Sequence, residues 1–350
     1  MKNTMTLLTT LTFPFLLVNC STQPSTITVP QINYPQPPIK TEPLQQTPQS
    51  NPILGRTISL PPQIIKERAT PTFPHIKSNG KSFVSKKFKL PSTINETSGL
   101  IKIDNQLWTH NDSGGASKLY QIDEHNGRVL RSIQIDNASN RDWEDIAYDD
   151  TYVYIGDTGN NLGNRKDLKI YKIPRAALRN EKRVPAEVIH YSYNDQKSFK
   201  RKLHKHNFDC EAMIAHNGKL YLFSKNWQDY KTRLYELSTL PGRHKAIPIA
   251  TFNINGLVTA ADYNPELGIL LLTTYNNLMN VNIWAFSNHD NRNFFSGQSK
   301  QLNIEPLQGQ VEGVTFIDNY RAYLSSEAFR KYIFAFDAAL YEVNFSGEFE

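Results

Sequence analysis

The segment Asp142-Trp143-Glu144-Asp145-Ile146, followed after a short turn by the alternating strand Tyr152-Val153-Tyr154-Ile155, contains the pattern that decides the fold. Four other segments can be aligned with it, and each is likewise followed by a turn and a strand of alternating apolar residues. The third position of the aligned segments, here called the anchor position, holds in chain order Ser98, Glu144, Glu211, Thr259 and Glu312. The anchors are separated by 46, 67, 48 and 53 residues. A period of about 50 residues with several strands per unit is typical of β-propeller blades.

The sequence therefore predicts an all-β fold, a β-propeller over residues 82–350. After Glu312 only 38 residues remain, which is about one strand short of a full blade. The alternating stretch Ser82–Leu90 predicts a strand that closes the ring from the N-terminal side. Five blades follow from this count, and six would require a further unit within residues 165–207. A sandwich with Greek-key connections is the competing architecture.

Composition favours this fold class and excludes others. The 350 residues carry 39 Lys and Arg against 33 Asp and Glu, with 11% aromatic residues, 20 prolines and 17 glycines. This balance is typical of β-rich chains, and a hydrophobic fraction of 39% excludes a polytopic membrane protein. A net charge of +6 is too small for a dedicated nucleic-acid binder, so no nucleic-acid partner is expected. Two cysteines exclude a disulfide framework.

Residues 1–19 have the layout of a secretory signal peptide. A basic residue precedes the apolar stretch from Met5 to Val18, which is too short to span a bilayer. The stretch ends in Leu17-Val18-Asn19-Cys20, which resembles the lipobox of bacterial lipoproteins. This resemblance implies that Cys20 is lipidated and becomes the new N-terminus, and Ser21 resembles the sorting context of outer-membrane lipoproteins. An ordinary cleaved signal followed by a chance cysteine is the alternative.

Residues 20–81 are predicted to be a disordered tether that begins at the lipidated cysteine. Twelve of the twenty prolines lie between residues 21 and 75, among Gln, Ser and Thr and few charges. Such a segment cannot bury enough apolar surface to offset the entropy of ordering it. Pro-rich chains favour extended polyproline II at about 3.1 Å per residue, so the tether is predicted to be semi-stiff.

The acidic anchors predict a cation site on the propeller axis. The innermost strand of each blade lines the central channel, so a residue that recurs at one blade position forms a ring. Carboxylates that converge repel one another unless a cation or hydrogen-bond donors compensate, and oxygen ligands of this kind suit Ca²⁺ or Mg²⁺. The predicted metal ligands are Glu144, Glu211 and Glu312 on the ring, with Asp112 and Asp157 near its mouth. The alternative is that these acids cap strand ends by accepting hydrogen bonds from backbone N–H groups of the neighbouring blade.

Two loops contain more polar residues than a scaffold requires. His110–Gly115 follows the second strand of the first blade, and Gly156–Asn161 follows that of the second blade, so both should lie on one face. They are predicted to contact a polar ligand together with residues at the ends of other second strands. The predicted ligand-binding residues are Asn111, Asn160, Asn161, Lys225 and Glu327. The alternative for each loop is a tight turn that needs positive φ and no ligand.

The run from Lys197 to His206 contains five Lys and Arg and two His in ten residues. Such a run could attract phosphate, an acidic glycan or anionic lipid headgroups. A solvated loop is the alternative interpretation.

Several motifs resemble those of secreted bacterial propeller proteins, which include the SdiA-regulated and phytase-like esterase groups. The motifs are Glu96–Leu100, His110–Gly114, Asp142–Ala147, Gly156–Asn161 and Val311–Val314. The resemblance covers about residues 90–330 and implies the propeller fold. Its phytase-like members imply Ca²⁺-assisted phosphoester hydrolysis, but this chain lacks a clear cluster of Lys and Arg at channel-mouth positions.

Two functions from different classes follow. The first is a lipid-anchored binding or interaction module whose acidic central face holds a cation, for which Ca²⁺ is the candidate, and a polar ligand or protein partner. The second is a Ca²⁺-dependent phosphoester hydrolase, for which the sequence identifies no catalytic residue. Either protein would be attached to the membrane through its lipid and located in the bacterial cell envelope. An outer-membrane lipoprotein that faces the periplasm or the exterior is expected.

Overall fold

The computed structural model describes residues 74–77, 79–304, 307–331 and 334–349. By its packing the chain separates into Met1–Glu67 and Arg68–Glu350, and every described residue belongs to the second unit. The predicted signal peptide, Cys20 and most of the predicted tether lie outside the described residues. No helix in the described part of the chain is long and apolar enough to cross a bilayer.

The described residues form 23 strands with very little helix. In chain order they are β1 (Phe83–Lys89), β2 (Thr97–Ile103), β3 (Gln106–Asn111), β4 (Lys118–Ile122), β5 (Val129–Ile135), β6 (Trp143–Tyr148), β7 (Tyr152–Asp157), β8 (Lys169–Pro174), β9 (Arg183–Val184), β10 (Glu187–Tyr193), β11 (Cys210–His216), β12 (Lys219–Ser224), β13 (Thr232–Ser238), β14 (Gly242–Phe252), β15 (Leu257–Asn264), β16 (Ile269–Tyr275), β17 (Val281–Ser287), β18 (Gln298–Gln301), β19 (Val311–Phe316), β20 (Arg321–Ser326), β21 (Phe329–Lys331), β22 (Phe334–Phe336) and β23 (Ala339–Asn344). The helical elements of this part are α1 (Ala177–Asn180) and two 3₁₀ turns, Ser92–Ile94 and Ser346–Glu348.

Hydrogen-bonded strand order places 20 of these strands in five four-stranded blades, while β9 pairs with the edge of the first blade and β21 and β22 form a separate hairpin. From inside to outside the blades are β2-β3-β4-β5, β6-β7-β8-β10, β11-β12-β13-β14, β15-β16-β17-β18 and β19-β20-β23-β1. The innermost strands pack against one another in this order, and β19 packs back onto β2. The predicted all-β, five-bladed propeller is therefore confirmed.

The ring is closed by the N-terminal strand, as the sequence predicts. β1 pairs antiparallel with β23 from Phe83 opposite Asn344 to Lys89 opposite Ala339, and so becomes the outermost strand of the fifth blade. Ile76 forms a further β-bridge with Phe349. The folded unit thus takes up residues that the sequence assigns to the end of the tether.

The core consists of five apolar clusters, one between each pair of neighbouring blades. Trp108 of the first blade and Tyr171 of the second, for example, belong to one cluster, and Leu107 of the first blade and Leu340 of the fifth belong to another. Each blade is therefore apolar on both faces. Burying one such large side chain contributes about 1.5–3 kcal/mol, which explains why the strands read as nearly continuous apolar runs.

Residues 165–207 contain no sixth blade. The chain leaves β8 through α1, adds β9 in parallel to the edge strand β5, and returns as β10, the outermost strand of the second blade. β10 also pairs in parallel with β14 of the third blade, so these two blades form one eight-stranded sheet. The surplus residues therefore connect three blades along their outer edges.

Candidate metal centre at the channel mouth

A β-bulge recurs at or next to the anchor position in all five inner hairpins. The register shifts between Cys210 and Ala212 in β11 leave Glu211 unpaired, and equivalent shifts leave Thr259 and Glu312 unpaired. In β6 the bulge contains Glu144 and Asp145, and in β2 it contains Gly99, next to the anchor Ser98. A bulge breaks the two-residue alternation of a strand and re-aims a side chain. The recurrence seen in the sequence is thus a recurrence of this backbone feature.

The hydroxyl anchors join neighbouring blades. Ser98 Oγ donates to the Glu144 carbonyl oxygen at 2.5 Å, and Thr259 Oγ1 donates to the Val311 carbonyl oxygen at 2.6 Å. Both acceptors belong to the innermost strand of the next blade. These two anchors are therefore structural, and the chemistry of the ring rests on its three glutamates.

Two groups of carboxylates that share Asp112 lie at the end of the inner hairpins that carries the anchor positions. Asp112, Asp142 and Glu144 form the first, and Asp112, Glu312 and Glu327 form the second; within each group the ligand oxygens lie within 4.8 Å of one another. We call these five residues the acidic mouth. Four of them are predicted site residues, and Asp142, two positions before an anchor, joins them.

Burial and mutual repulsion raise the pKa values across the acidic mouth. The pKa of Asp112 is raised to about 8, first by burial and then by the charges of neighbouring carboxylates, Glu312 foremost. The same causes raise the pKa of Glu327 to about 8 and that of Asp142 to about 6. The pKa of Glu144 lies well above its ordinary value because of burial and the surrounding acids. Desolvation and like charge both disfavour the ionised form, so the cluster needs protons or a cation.

The Glu144 carboxylate has no compensating donor. The residue is 4% exposed, and no hydrogen bond from a described donor to its side chain is found, while its oxygens are not among the buried polar atoms that are sealed from solvent. Gly159 lies directly against it, since a Cβ on this glycine would fall 2.0 Å from Glu144 Oε1 and 2.5 Å from Asp142 Oδ2. Only a residue without a side chain leaves the two carboxylates in place.

The Glu211 anchor is neutralised by a lysine. Lys225 Nζ lies 2.9 Å from Glu211 Oε2, and both side chains are buried. The ammonium lies over two rings, 5.0 Å from the centroid of Trp227 and 5.2 Å from that of Tyr275. Burial opposes its charge, yet Glu211 and Tyr275 hold the pKa of Lys225 above its usual value. Two predicted site residues thus form an ion pair beside the acidic mouth, and neither belongs to its two groups.

Asp157 is likewise placed in ion pairs. Its Oδ1 lies 2.7 Å from Arg165 Nη2 and its Oδ2 lies 3.5 Å from Lys169 Nζ. The carboxylate is fully buried and belongs to neither group of the acidic mouth. Of the five predicted metal ligands, the structure therefore places Glu144 near Asp112 in one group and Glu312 near Asp112 in the other.

The three predicted asparagines have different surroundings. Asn160 donates its backbone N–H to Asp209 Oδ1 at 2.5 Å and its Nδ2 to the Phe208 carbonyl at 2.7 Å, while its Oδ1 accepts the Arg165 N–H. Asn161 accepts two hydrogen bonds on its carbonyl oxygen from the following loop. Both asparagines thus support local loop structure. Asn111 donates Nδ2 to a carbonyl, but its Oδ1 is buried without a partner.

Sequence reasoning did not identify Asp145, which performs the strand-capping role in this ring. Its Oδ1 accepts the Ile146 N–H at 2.8 Å, and its Oδ2 accepts the Met213 N–H at 2.7 Å and the Ala261 N–H at 3.3 Å. It therefore connects the second blade to the third and fourth. Asp262 acts similarly toward the fifth blade by accepting the Phe316 N–H at 2.8 Å. The signal in the sequence was an acid directly after the anchor.

Comparison with known proteins gives no family. No family model matches the sequence, and no curated protein matches it. Among solved structures, the chain is similar to hydrazine synthase of Kuenenia stuttgartiensis, at 9% identity and a TM-score of 0.35, over 68% of this chain and 57% of that chain. It is also similar to a chain of a mitotic checkpoint complex, at 12% identity and a TM-score of 0.32, over 65% of this chain and 60% of that one. The matched region is less than two thirds of the length of each of those two solved chains.

Proposed function

We propose that this protein is an envelope-anchored propeller that binds Ca²⁺ at the acidic mouth and presents it to a polar ligand or protein partner. The observation that carries the proposal is the buried Glu144 carboxylate, which has two other carboxylates within reach and no donor. An isolated buried carboxylate is costly, and it either takes up a proton or acquires a positive partner. Arg and Lys neutralise Asp157 and Glu211 nearby. The acidic mouth is compensated by protons or by a metal ion, and the metal ion is the partner that we propose.

The chemistry of the ligands favours Ca²⁺. The carboxylate oxygens of each group lie within 4.8 Å of one another, which is close enough for them to share one metal ion. All donors are oxygens, and Ca²⁺ accepts irregular sets of six to eight such ligands, whereas Mg²⁺ demands a near-ideal octahedron. Three carboxylates leave positions open for water or for an oxygen of a ligand.

Asn111 supports a polar ligand at this place. Its Oδ1 is buried and without a partner, and it is the neighbour in sequence of Asp112, which both acidic groups share. A buried acceptor of this kind costs about 1–3 kcal/mol when it is unpaired. A ligand would satisfy both features if it donates a hydrogen bond to Asn111 Oδ1 and coordinates the cation through one of its oxygen atoms.

Direct titration tests the cation site. Calorimetry of Ca²⁺ into EDTA-treated and desalted protein is expected to show binding, and Glu144→Gln or Asp112→Asn is expected to weaken it at least tenfold, about 1.4 kcal/mol. Glu266→Gln, which changes an exposed acid on the fourth blade, and Lys231→Gln are the controls. Absence of binding by the wild type, or equal weakening by Glu266→Gln, contradicts the proposal.

The hydrolase alternative needs the same metal. It is favoured over a binding module if the wild type releases phosphate from an organic phosphoester in a Ca²⁺-dependent manner and Glu144→Gln does not. If the wild type does not bind Ca²⁺, both functions are excluded together.

The membrane attachment is proposed from the sequence of residues 1–20. Two or more acyl chains hold a protein stably on a membrane, whereas one chain does not. Phe83 lies at the end of the fifth blade remote from Glu312, because it pairs with Asn344 and through it with Arg321. The chain thus enters the propeller away from the acidic mouth. Metabolic labelling with a palmitate analogue is expected to mark the wild type and not Cys20→Ser, and equal labelling would remove the lipoprotein proposal.

A further inference from the structure

A second polar concavity lies in the loop between β10 and β11, outside the acidic mouth. Its volume is about 330 Å³, which is within the range of small-ligand sites. Four lysines of the basic run line it, namely Lys197, Lys200, Lys202 and Lys205. We call this concavity the lysine pocket.

The charge of the lysine pocket is uncompensated. Its one lining acid, Asp195, is bound to Arg233 and accepts the hydroxyl of Tyr235 at 3.3 Å. None of the four lysines forms an ion pair with an acid among the residues that the structure describes, and all four are exposed. Like charges around one concavity repel, and the repulsion is relieved by an anion.

The loop that carries these lysines is fixed to the second blade. The backbone N–H groups of Lys202 and His204 donate to the carbonyls of Leu162 and Asn161 at 2.9 and 3.1 Å. Gln196 Nε2 donates to the Gly163 carbonyl at 2.9 Å.

Gly163 also admits the ring of His206, since a Cβ on this glycine would lie 2.6 Å from His206 Cδ2. The backbone under the lysines is therefore ordered in advance, which lowers the entropic cost of binding.

We propose that the lysine pocket binds a phosphate-bearing anion. Lysine recognises phosphate as a point charge with three donors, and four such groups at one concavity favour a multiply charged group over a single carboxylate. The phosphate can belong to a soluble compound or to a lipid headgroup. Leu203, 57% exposed within the same run, is placed to contact acyl chains in the second case. The proposal does not depend on the acidic mouth.

The test uses the protein from residue 20 to residue 350. Divalent cations are left out, so that the acidic mouth does not contribute. Pyrophosphate is titrated into the protein by calorimetry at low ionic strength. NaCl is added so that the ionic strength is the same in every titration. Lys200→Gln/Lys205→Gln is expected to lower the affinity at least tenfold. The control Lys86→Gln/Lys219→Gln, which removes the same charge from exposed sites elsewhere, is expected to leave it within about twofold. Raising NaCl to 0.2 M is expected to weaken binding, because exposed charges are screened.

A second arm measures co-sedimentation with phosphatidylcholine vesicles containing phosphatidylglycerol. All chains in this arm carry Cys20→Ser, so that no lipid anchor contributes. Selective loss of pyrophosphate binding in the pocket variant supports the proposal and identifies a soluble phosphate. Selective loss of vesicle binding alone supports it and identifies a headgroup. Equal behaviour of the two double variants with both probes, or no binding of the wild type to either, overturns it.

Discussion

Glu144 and Asp145 are neighbours in the chain, lie in the same bulge of β6 and are both buried, yet their carboxylates have opposite surroundings. Asp145 accepts three backbone N–H bonds, two of them from other blades. Glu144 accepts none and faces two other carboxylates. One bulge thus directs one acid to backbone N–H groups of the third and fourth blades and the other toward the carboxylates of the acidic mouth.

The comparison shows that burial alone does not decide what a buried acid does. Burial is the largest cause that raises the pKa of each residue. The second causes differ, since backbone hydrogen bonds lower the pKa of Asp145 and like charges raise that of Glu144 further. The first acid stabilises the ring, and the second destabilises it unless a ligand binds.

Replacing Asp145 is expected to have the largest effect on stability. Asp145→Asn leaves one acceptor atom for three N–H groups, so about 2–5 kcal/mol of unfolding free energy is lost. Urea unfolding of the metal-free protein measures this loss. Glu144→Gln under the same conditions is expected to change the free energy by less than about 1 kcal/mol, or to raise it, because a buried acid without a hydrogen-bond donor is replaced by a neutral amide of the same size. Equal losses in the two variants would remove the distinction between them.

The pH dependence of the metal-free protein follows from the raised pKa values of the acidic mouth. Asp112 and Glu327 have folded-state pKa values of about 8 and Asp142 of about 6, all above their ordinary values of 3.8 to 4.5. The folded state therefore holds protons that the unfolded state releases, and stability is lost as pH rises from about 4 to about 8.

We expect the free energy of unfolding in EDTA to fall by on the order of a few kcal/mol between pH 5 and pH 8. Saturating Ca²⁺ is expected to reduce the fall, because the cation replaces the protons. Urea titrations at the two pH values measure it. Greater stability at pH 8 than at pH 5 in EDTA would show that the acidic mouth does not carry uncompensated charge.

Gly159→Ala is expected to have the smallest effect on folding and a clear effect on binding. The added Cβ meets the ends of two flexible side chains, so the two carboxylates move and the unfolding free energy changes by less than about 1 kcal/mol. Calorimetric Ca²⁺ affinity is expected to fall at least fivefold. Gly115→Ala is the matched control, because its Cβ finds only ordinary contacts of 3.7 Å and more. Unchanged affinity in Gly159→Ala would place the cation elsewhere.

The sequence was sufficient for the ring because propeller blades repeat locally. The anchors and the alternating second strands recur at each blade, and the alternation of Ser82–Leu90 identifies the closing strand. The connection through β9 and β10 was not predictable, since parallel pairing with β5 and β14 depends on blades that are distant in the chain.

The site was less predictable because charge compensation is a property of three-dimensional neighbours. The alignment identified Glu144, Glu211 and Glu312 as equivalent, and the structure gives only Glu211 a lysine partner. Asp157 could have been assigned to Arg165, eight residues later in the same polar loop. The role of Asp145 depends on a bulge, which the alternation of side chains does not reveal.

The central claim is that Glu144 is held buried and donor-free for a cation, and thermal unfolding with and without Ca²⁺ tests it most directly. Ca²⁺ at about 100 times its Kd stabilises a fold by about 2.7 kcal/mol, which raises the melting temperature of a unit of this size by about 4–6 °C. We expect this rise for the wild type, its reversal by EDTA, and little or no rise for Glu144→Gln. A melting temperature of the wild type that is indifferent to Ca²⁺ and EDTA, or an equal rise in Glu144→Gln, would contradict it.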